Sequence, residues 1–137
     1  MNKRLLIGGQ ALMRLGSSRV SRDFDYLVSD ETSKSSFLHD KEADFCNAKG
    51  SKFFAEVWKM EAKNNGEIAS PQALFELKAY AFVQHCQNGF WQKADDCEFD
   101  LKFLVRAFGI SESKIAKKYI STGELEEVMK VVNSVKK

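Results

Sequence analysis

Apolar residues fall in two short runs near the start of the chain. Arg4-Leu5-Leu6-Ile7 stops at Gly8-Gly9, and Phe24-Asp25-Tyr26-Leu27-Val28 follows a polar stretch. A brief apolar run halted by glycine predicts a buried strand over 4–7. Ala11, Leu12 and Leu15 then recur at helical spacing, which predicts a short helix ended by Gly16. Phe24 to Val28 reads as a second strand. The segment SDETSKSSFLHDKE is polar, Ser-rich and aperiodic, and predicts an exposed loop able to cover a site. KFFAEVWKM, from Lys52 to Met60, has the aromatic and β-branched content of a strand, with Phe54, Glu56 and Trp58 on one face. Asp44 to Cys46 is its candidate hairpin partner.

The second half changes to a helical period. Ser70-Pro71 is a helix start, because Ser caps free N–H groups and Pro is already set for the first turn, and a helix to about Cys86 follows. Cys97, Leu101, Leu104, Val105 and Phe108 form an apolar stripe on a helix from about Ala94 to Phe108, stopped by Gly109. Ser111 is placed to cap a third helix. Ser121 and Glu124 stand at capping-box spacing, and Leu125, Val128, Met129 and Val132 give the last helix its buried face, read as core. Strands first and helices after, without an internal repeat, predict an α+β fold.

At 137 residues, the chain has the size of a single domain, with a sheet-containing half over about 1–68 and a helical half over about 70–137. The 21 basic and 19 acidic residues nearly cancel, so no nucleic-acid footprint is built into the composition. Cys46, Cys86 and Cys97 are an odd, widely spaced set, and His39 and His85 have no ligand partner at metal spacing, which argues against zinc. With no signal peptide and no long apolar run, the expected setting is the cytoplasm, with reduced thiols and no membrane contact.

Chemistry enters with Asp23-Phe24-Asp25. Alternate residues of a strand share a face, so the two carboxylates project together while Phe24 turns to the core. Converging acids repel, and a divalent cation relieves that repulsion; one or two carboxylates with substrate phosphates describe a magnesium site. The plainer alternative is two solvated acids at a strand end. Upstream, Gly8-Gly9 opens a helix whose N–H groups favour an anion, although the same pair also makes a tight strand-to-helix turn.

GGQALMRLGSSRVSRDFDYLV resembles the nucleotidyltransferase superfamily, specifically the branch that includes AbiEii-type toxins, in its GG-x-A element followed by G-x-x-R-x-S/T-x-D-x-D. Gly8, Gly9, Ala11, Gly16, Arg19, Ser21, Asp23 and Asp25 carry the match, which covers the first 28 residues. SPQALFELKAYAF is similar to the family's downstream Lys helix, and KADDCEFDLKFL to its Lys-Asp-x-x-Asp helix. The resemblance implies a mixed β-sheet with flanking helices. It also implies transfer of a nucleoside monophosphate from a nucleoside triphosphate to a hydroxyl of protein or RNA, by a two-metal mechanism using Mg2+. Asp23 and Asp25 would be catalytic metal ligands, and Gly8, Gly9, Arg19, Ser21 and Lys78 would contact the nucleotide. A toxin–antitoxin or defence setting with an inhibitory protein partner follows from the same resemblance alone.

The family also brings a third carboxylate from a neighbouring strand. Glu56 is the first candidate, with Asp44 and Glu61 as competitors. Gln10 stands where the family has a small hydroxyl, and Asp96-Cys97 replace its Lys-Asp pair if Asp100 is aligned. Lys78 lies among Leu74, Leu77, Ala81 and Phe82, so its charge needs a triphosphate, an ion pair with Asp100, or a path to the rim. Arg19 is placed to contact phosphate or brace the aspartates, Arg22 to be solvated, and Trp91 to stack on a base or to anchor the core or a loop. A catalytically inactive protein of the same fold, acting through a protein or nucleic-acid partner, is the alternative function.

Overall fold

Both faces of the first strand are buried. Leu5, Leu6 and Ile7 are at most 6% exposed along β1 (Arg4–Ile7), which lies between β2 (Phe24–Val28) and a parallel bridge from Leu6 to Ile68. The computed structural model describes residues 3–29 and 43–135 and is α+β. The chain divides into two compact units, Met1–Ala73 and Leu74–Lys137.

The first unit holds a mixed three-stranded sheet, ordered β1-β2-β3, with β3 spanning Ala43–Asn47. β1 and β2 are antiparallel, pairing Ile7 with Asp25; β2 and β3 are parallel, pairing Asp25 with Asp44 and Leu27 with Cys46. In-register neighbours share a face, so Ile7, Asp25, Asp44, Leu27 and Cys46 lie on one side of the sheet. On the other, Tyr26 stacks on Phe45 at 5.8 Å and the Arg4 guanidinium lies 4.0 Å from the Tyr26 ring centre. Phe24 is half-buried, and the deep core of β2 is carried instead by Leu27 and Val28.

β1 runs directly into α1 (Gly8–Arg14), and Gly16 follows the helix with φ +107°, a conformation that stops it where expected. The stretch expected to be a strand with Glu56 on its face is a helix, α2 (Lys52–Met60). Ser51 Oγ accepts the Phe54 N–H at 3.0 Å, and Phe53 and Val57, one turn apart, are buried. Asp44 to Cys46 is extended, but its partner is β2 and the pairing is parallel, so the expected hairpin is absent. Residues 30–42, which include most of the expected covering loop and His39, lie outside the described residues.

α3 (Pro71–Gln87) begins as predicted at Ser70-Pro71, with Ser70 Oγ accepting the Ala73 N–H at 3.2 Å. In the second unit, α4 (Trp91–Phe108) buries Ala94, Cys97, Leu101, Leu104 and Val105 and ends at Gly109 in the left-handed region. It packs against α5 (Thr122–Val135), whose start is a complete capping box: Ser121 N–H donates to Glu124 at 2.7 Å, and Glu124 N–H to Ser121 Oγ at 3.1 Å. Val128, Val131 and Val132 form its buried face.

Ser111 caps no helix. The segment between α4 and α5 carries only a short 3-10 turn, Ala116–Lys118, and its organiser is Glu76 on α3. This fully buried carboxylate accepts from Ser113 Oγ at 2.7 Å and from the N–H groups of Lys114, Ile115 and Ala116 at 2.9, 3.0 and 2.8 Å. Several charge-assisted bonds offset the cost of burying the acid. No helix among the described residues is long and apolar enough to cross a membrane.

Candidate active site

The turn from β1 into α1 meets the start of β2 at Asp25, the cross-strand partner of Ile7. Gly8 has φ +68°, which favours glycine, and a Cβ there would stand 2.8 Å from Asp25 Oδ2. The Asp25 carboxylate therefore lies against the glycine turn. Gly9 is buried, and a Cβ on it would come 2.3 Å from Ser21 Cβ and 3.3 Å from Arg19 Nη2. Gly8, Gly9, Arg19, Ser21 and Asp25 thus lie together.

The segment between α1 and β2 is tied down along its length. Ser17 N–H donates to the Leu12 carbonyl at 2.9 Å, Ser21 N–H to Met13 Sδ at 3.2 Å, and the Gln10 side-chain amide to the Ser21 carbonyl. Gln10 occupies the place of the expected hydroxyl, and its amide is committed to positioning Ser21. Ile7, which precedes α1, makes no side-chain cap to its first turn.

Asp44 is the residue of β3 in register with Asp25. Two residues further along the same face, burial pushes the Cys46 thiol up, and the charges of Asp25 and Asp44 push it further. The register places both acids on the same sheet face as Cys46. Asp23 is exposed and immediately precedes β2. The Asp-x-Asp pair is therefore divided between the strand and its approach.

The other expected acids stand elsewhere. Glu56 is half-buried on α2, so the reason for choosing it, a place on a neighbouring strand, belongs to Asp44 instead. Glu61 is 3% exposed and is committed to structure: it accepts from Ser70 Oγ at 2.9 Å, from Ser70 N–H, and from Asn64 Nδ2 at 3.3 Å. In the second unit, Lys78 forms an ion pair with fully buried Asp100 at 3.0 Å. Of the partners open to Lys78, Asp100 is the one it meets in this fold. Trp91 is 65% exposed at the start of α4, so it is no core anchor.

Among the described residues, no group of three His, Cys, Asp or Glu side chains is gathered closely enough to hold a metal ion alone. Magnesium does not require one: it commonly takes one or two carboxylates and completes its shell with water and substrate phosphates. Adjacent, hard-oxygen Asp25 and Asp44, with Asp23 two residues before Asp25, match that donor preference. In comparisons with known proteins, no family model, no curated protein and no solved structure matched the chain.

Proposed function

We propose that this chain is a magnesium-dependent nucleotidyltransferase with a nucleotidyltransferase-like fold, moving a nucleoside monophosphate from a nucleoside triphosphate to a hydroxyl of a protein or RNA. The observation that carries this reading is the register of Asp25 with Asp44 beside the Gly8-Gly9 turn. Asp25 and Asp44, with Asp23, would hold Mg2+, which when bound neutralises triphosphate charge and polarises the phosphoryl group. The Gly8-Gly9 turn would let a phosphate approach the backbone closely, and Arg19, whose guanidinium borders Gly9, would be its cationic partner. The acceptor hydroxyl gives up its proton to water as its oxygen bonds to the α-phosphorus, the bond from that phosphorus to the bridging oxygen breaks, and pyrophosphate leaves. Positioning and charge compensation are the protein's contributions.

The Lys78–Asp100 ion pair favours a second reading, an inactive relative of that fold which works by binding, because it engages a lysine expected at the nucleotide. Incubating the full chain with each of the four α-labelled ribonucleoside triphosphates, Mg2+ and a cell extract separates the two. Transfer of label to RNA or protein, lost in Asp25→Asn, supports the enzyme. Absence of label with all four, or label unaffected by Asp25→Asn, overturns it.

A further inference from the structure

Phe82, Val83 and Cys86 on α3, Trp91 on α4, and Glu124 and Glu127 on α5 line a cavity of about 410 Å³ within the second unit. That size lies in the range of about 300–1,000 Å³ typical of small-molecule sites. Phe82 and Val83 are buried and supply an apolar floor, while Trp91 leaves much of its indole exposed. Acids stand at the mouth. Glu124 is fixed in place, with Ser121 N–H donating to Oε1 at 2.7 Å and the Gln87 amide donating to Oε2. Each carboxylate oxygen retains further accepting capacity.

The surrounding charges include cations as well as anions. Glu127 is 2.9 Å from Lys130, Glu98 is 2.9 Å from Lys102, and the Lys93 ammonium lies 5.4 Å from the Phe90 ring centre. The Cys86 thiol nevertheless reports a negative field: burial raises it first, and Glu127, Asp95 and Glu98 each raise it further. The Ser121 N–H holds the Glu124 carboxyl below its ordinary value, which favours its ionised form.

We propose that this cavity binds a small organic ammonium with an aromatic or aliphatic body, the body on Phe82 and Val83 and the ammonium shared by the Trp91 ring and the Glu124 carboxylate. An indole face is the best aromatic partner for a cation, and a carboxylate already oriented by two hydrogen bonds loses little freedom on binding. The volume of about 410 Å³ suits a small molecule. This site is independent of the nucleotide chemistry proposed for the first unit.

Trp58 and Trp91 are the two tryptophans of the chain, so Trp58→Phe leaves Trp91 as the lone indole reporter. In that full-length background, 4-phenylbutylammonium, 4-phenylbutanol and 4-phenylbutyrate are titrated while Trp91 emission is followed. The ammonium is expected to give a saturable shift with affinity about tenfold above the alcohol, and the carboxylate to bind more weakly still. Glu124→Gln, which keeps the capping box, is expected to reduce ammonium affinity by about tenfold without changing helix content. Ammonium and alcohol affinities within about twofold, no saturable shift, or an unchanged affinity in Glu124→Gln with helix content retained overturns the proposal. The probe comparison needs only the Trp58→Phe background, so poor folding of Glu124→Gln leaves it decisive. A basic peptide that shifts Trp91 while 4-phenylbutylammonium does not also overturns it.

Discussion

Gly9 and Ser21 are packed so closely that a single methyl group on Gly9 would stand 2.3 Å from Ser21 Cβ and 2.6 Å from Ser21 Oγ. The second glycine therefore serves first to seat the segment leading to Asp23 and Asp25. Gly9→Ala should lower stability by about 1–3 kcal/mol, the usual cost of overpacking, measured by urea unfolding. Ser21→Gly added to Gly9→Ala should recover part of that loss, because it removes both clashing atoms. Additive losses in the double variant would contradict the packing relationship.

Much of this first segment was legible from residue order. The strand, glycine turn, helix stop and second strand each depend on neighbours within a few residues, and Leu5 to Ile7 are apolar in succession because both faces of β1 are buried. Lys52 to Met60 reads as a strand yet folds as a helix because over nine residues an aromatic, β-branched stretch satisfies a period of two as well as one of 3.6. Two signals favoured the helix: Ser51 ahead of the run, and apolar Phe53 and Val57 four apart with Glu61 closing the next turn. Asp44 was harder to place, since its parallel pairing with β2 joins residues separated by an intervening segment. The organiser of the 113–116 turn was hidden for a related reason: Glu76 lies 37 residues before Ser113, beyond any local pattern.

The Lys78–Asp100 pair gives a prediction about a residue with two candidate roles. Lys78→Ala leaves a fully buried carboxylate without its ammonium, which should cost about 3–5 kcal/mol in urea unfolding. Lys78→Met with Asp100→Leu should restore most of that, since an apolar pair of similar volume avoids burying charge. A stable Lys78→Ala protein would show that the ammonium contributes little to the fold.

Glu76 makes a sharper test of chemistry against shape. Gln is nearly isosteric, but its amide nitrogen would face a backbone N–H that now donates to a carboxylate oxygen, either that of Lys114 or those held by the other oxygen. Glu76→Gln should therefore destabilise the chain by about 1–3 kcal/mol. Amide exchange at Ile115 and Ala116 should accelerate beyond the average, because these N–H groups lose charge-assisted acceptors.

Acid should loosen the start of α5 through Glu124. Its carboxyl is held below the ordinary value chiefly by the Ser121 N–H, with Gln87 and Ser121 Oγ adding to this against partial desolvation. A lowered value in the folded state means stabilisation that is present above the ordinary glutamate range and lost as pH falls through the lowered value. The Ser121 amide resonance should titrate with a midpoint below that of an exposed glutamate, and Glu124→Gln should abolish the titration. A midpoint at or above the ordinary value would contradict the cap geometry.

The central claim is that Asp25 and Asp44, flanked by Asp23 and the Gly8-Gly9 turn, form a metal–triphosphate site. Paramagnetic broadening by Mn2+ tests it directly: amide spectra of the full chain are compared with and without a non-hydrolysable nucleoside triphosphate. Broadening centred on Gly8, Gly9, Asp25 and Asp44, strengthened by the triphosphate and lost in the Asp25→Asn, Asp44→Asn double variant, is the predicted result. Broadening centred on other acidic residues, or unchanged in the double variant, would contradict it.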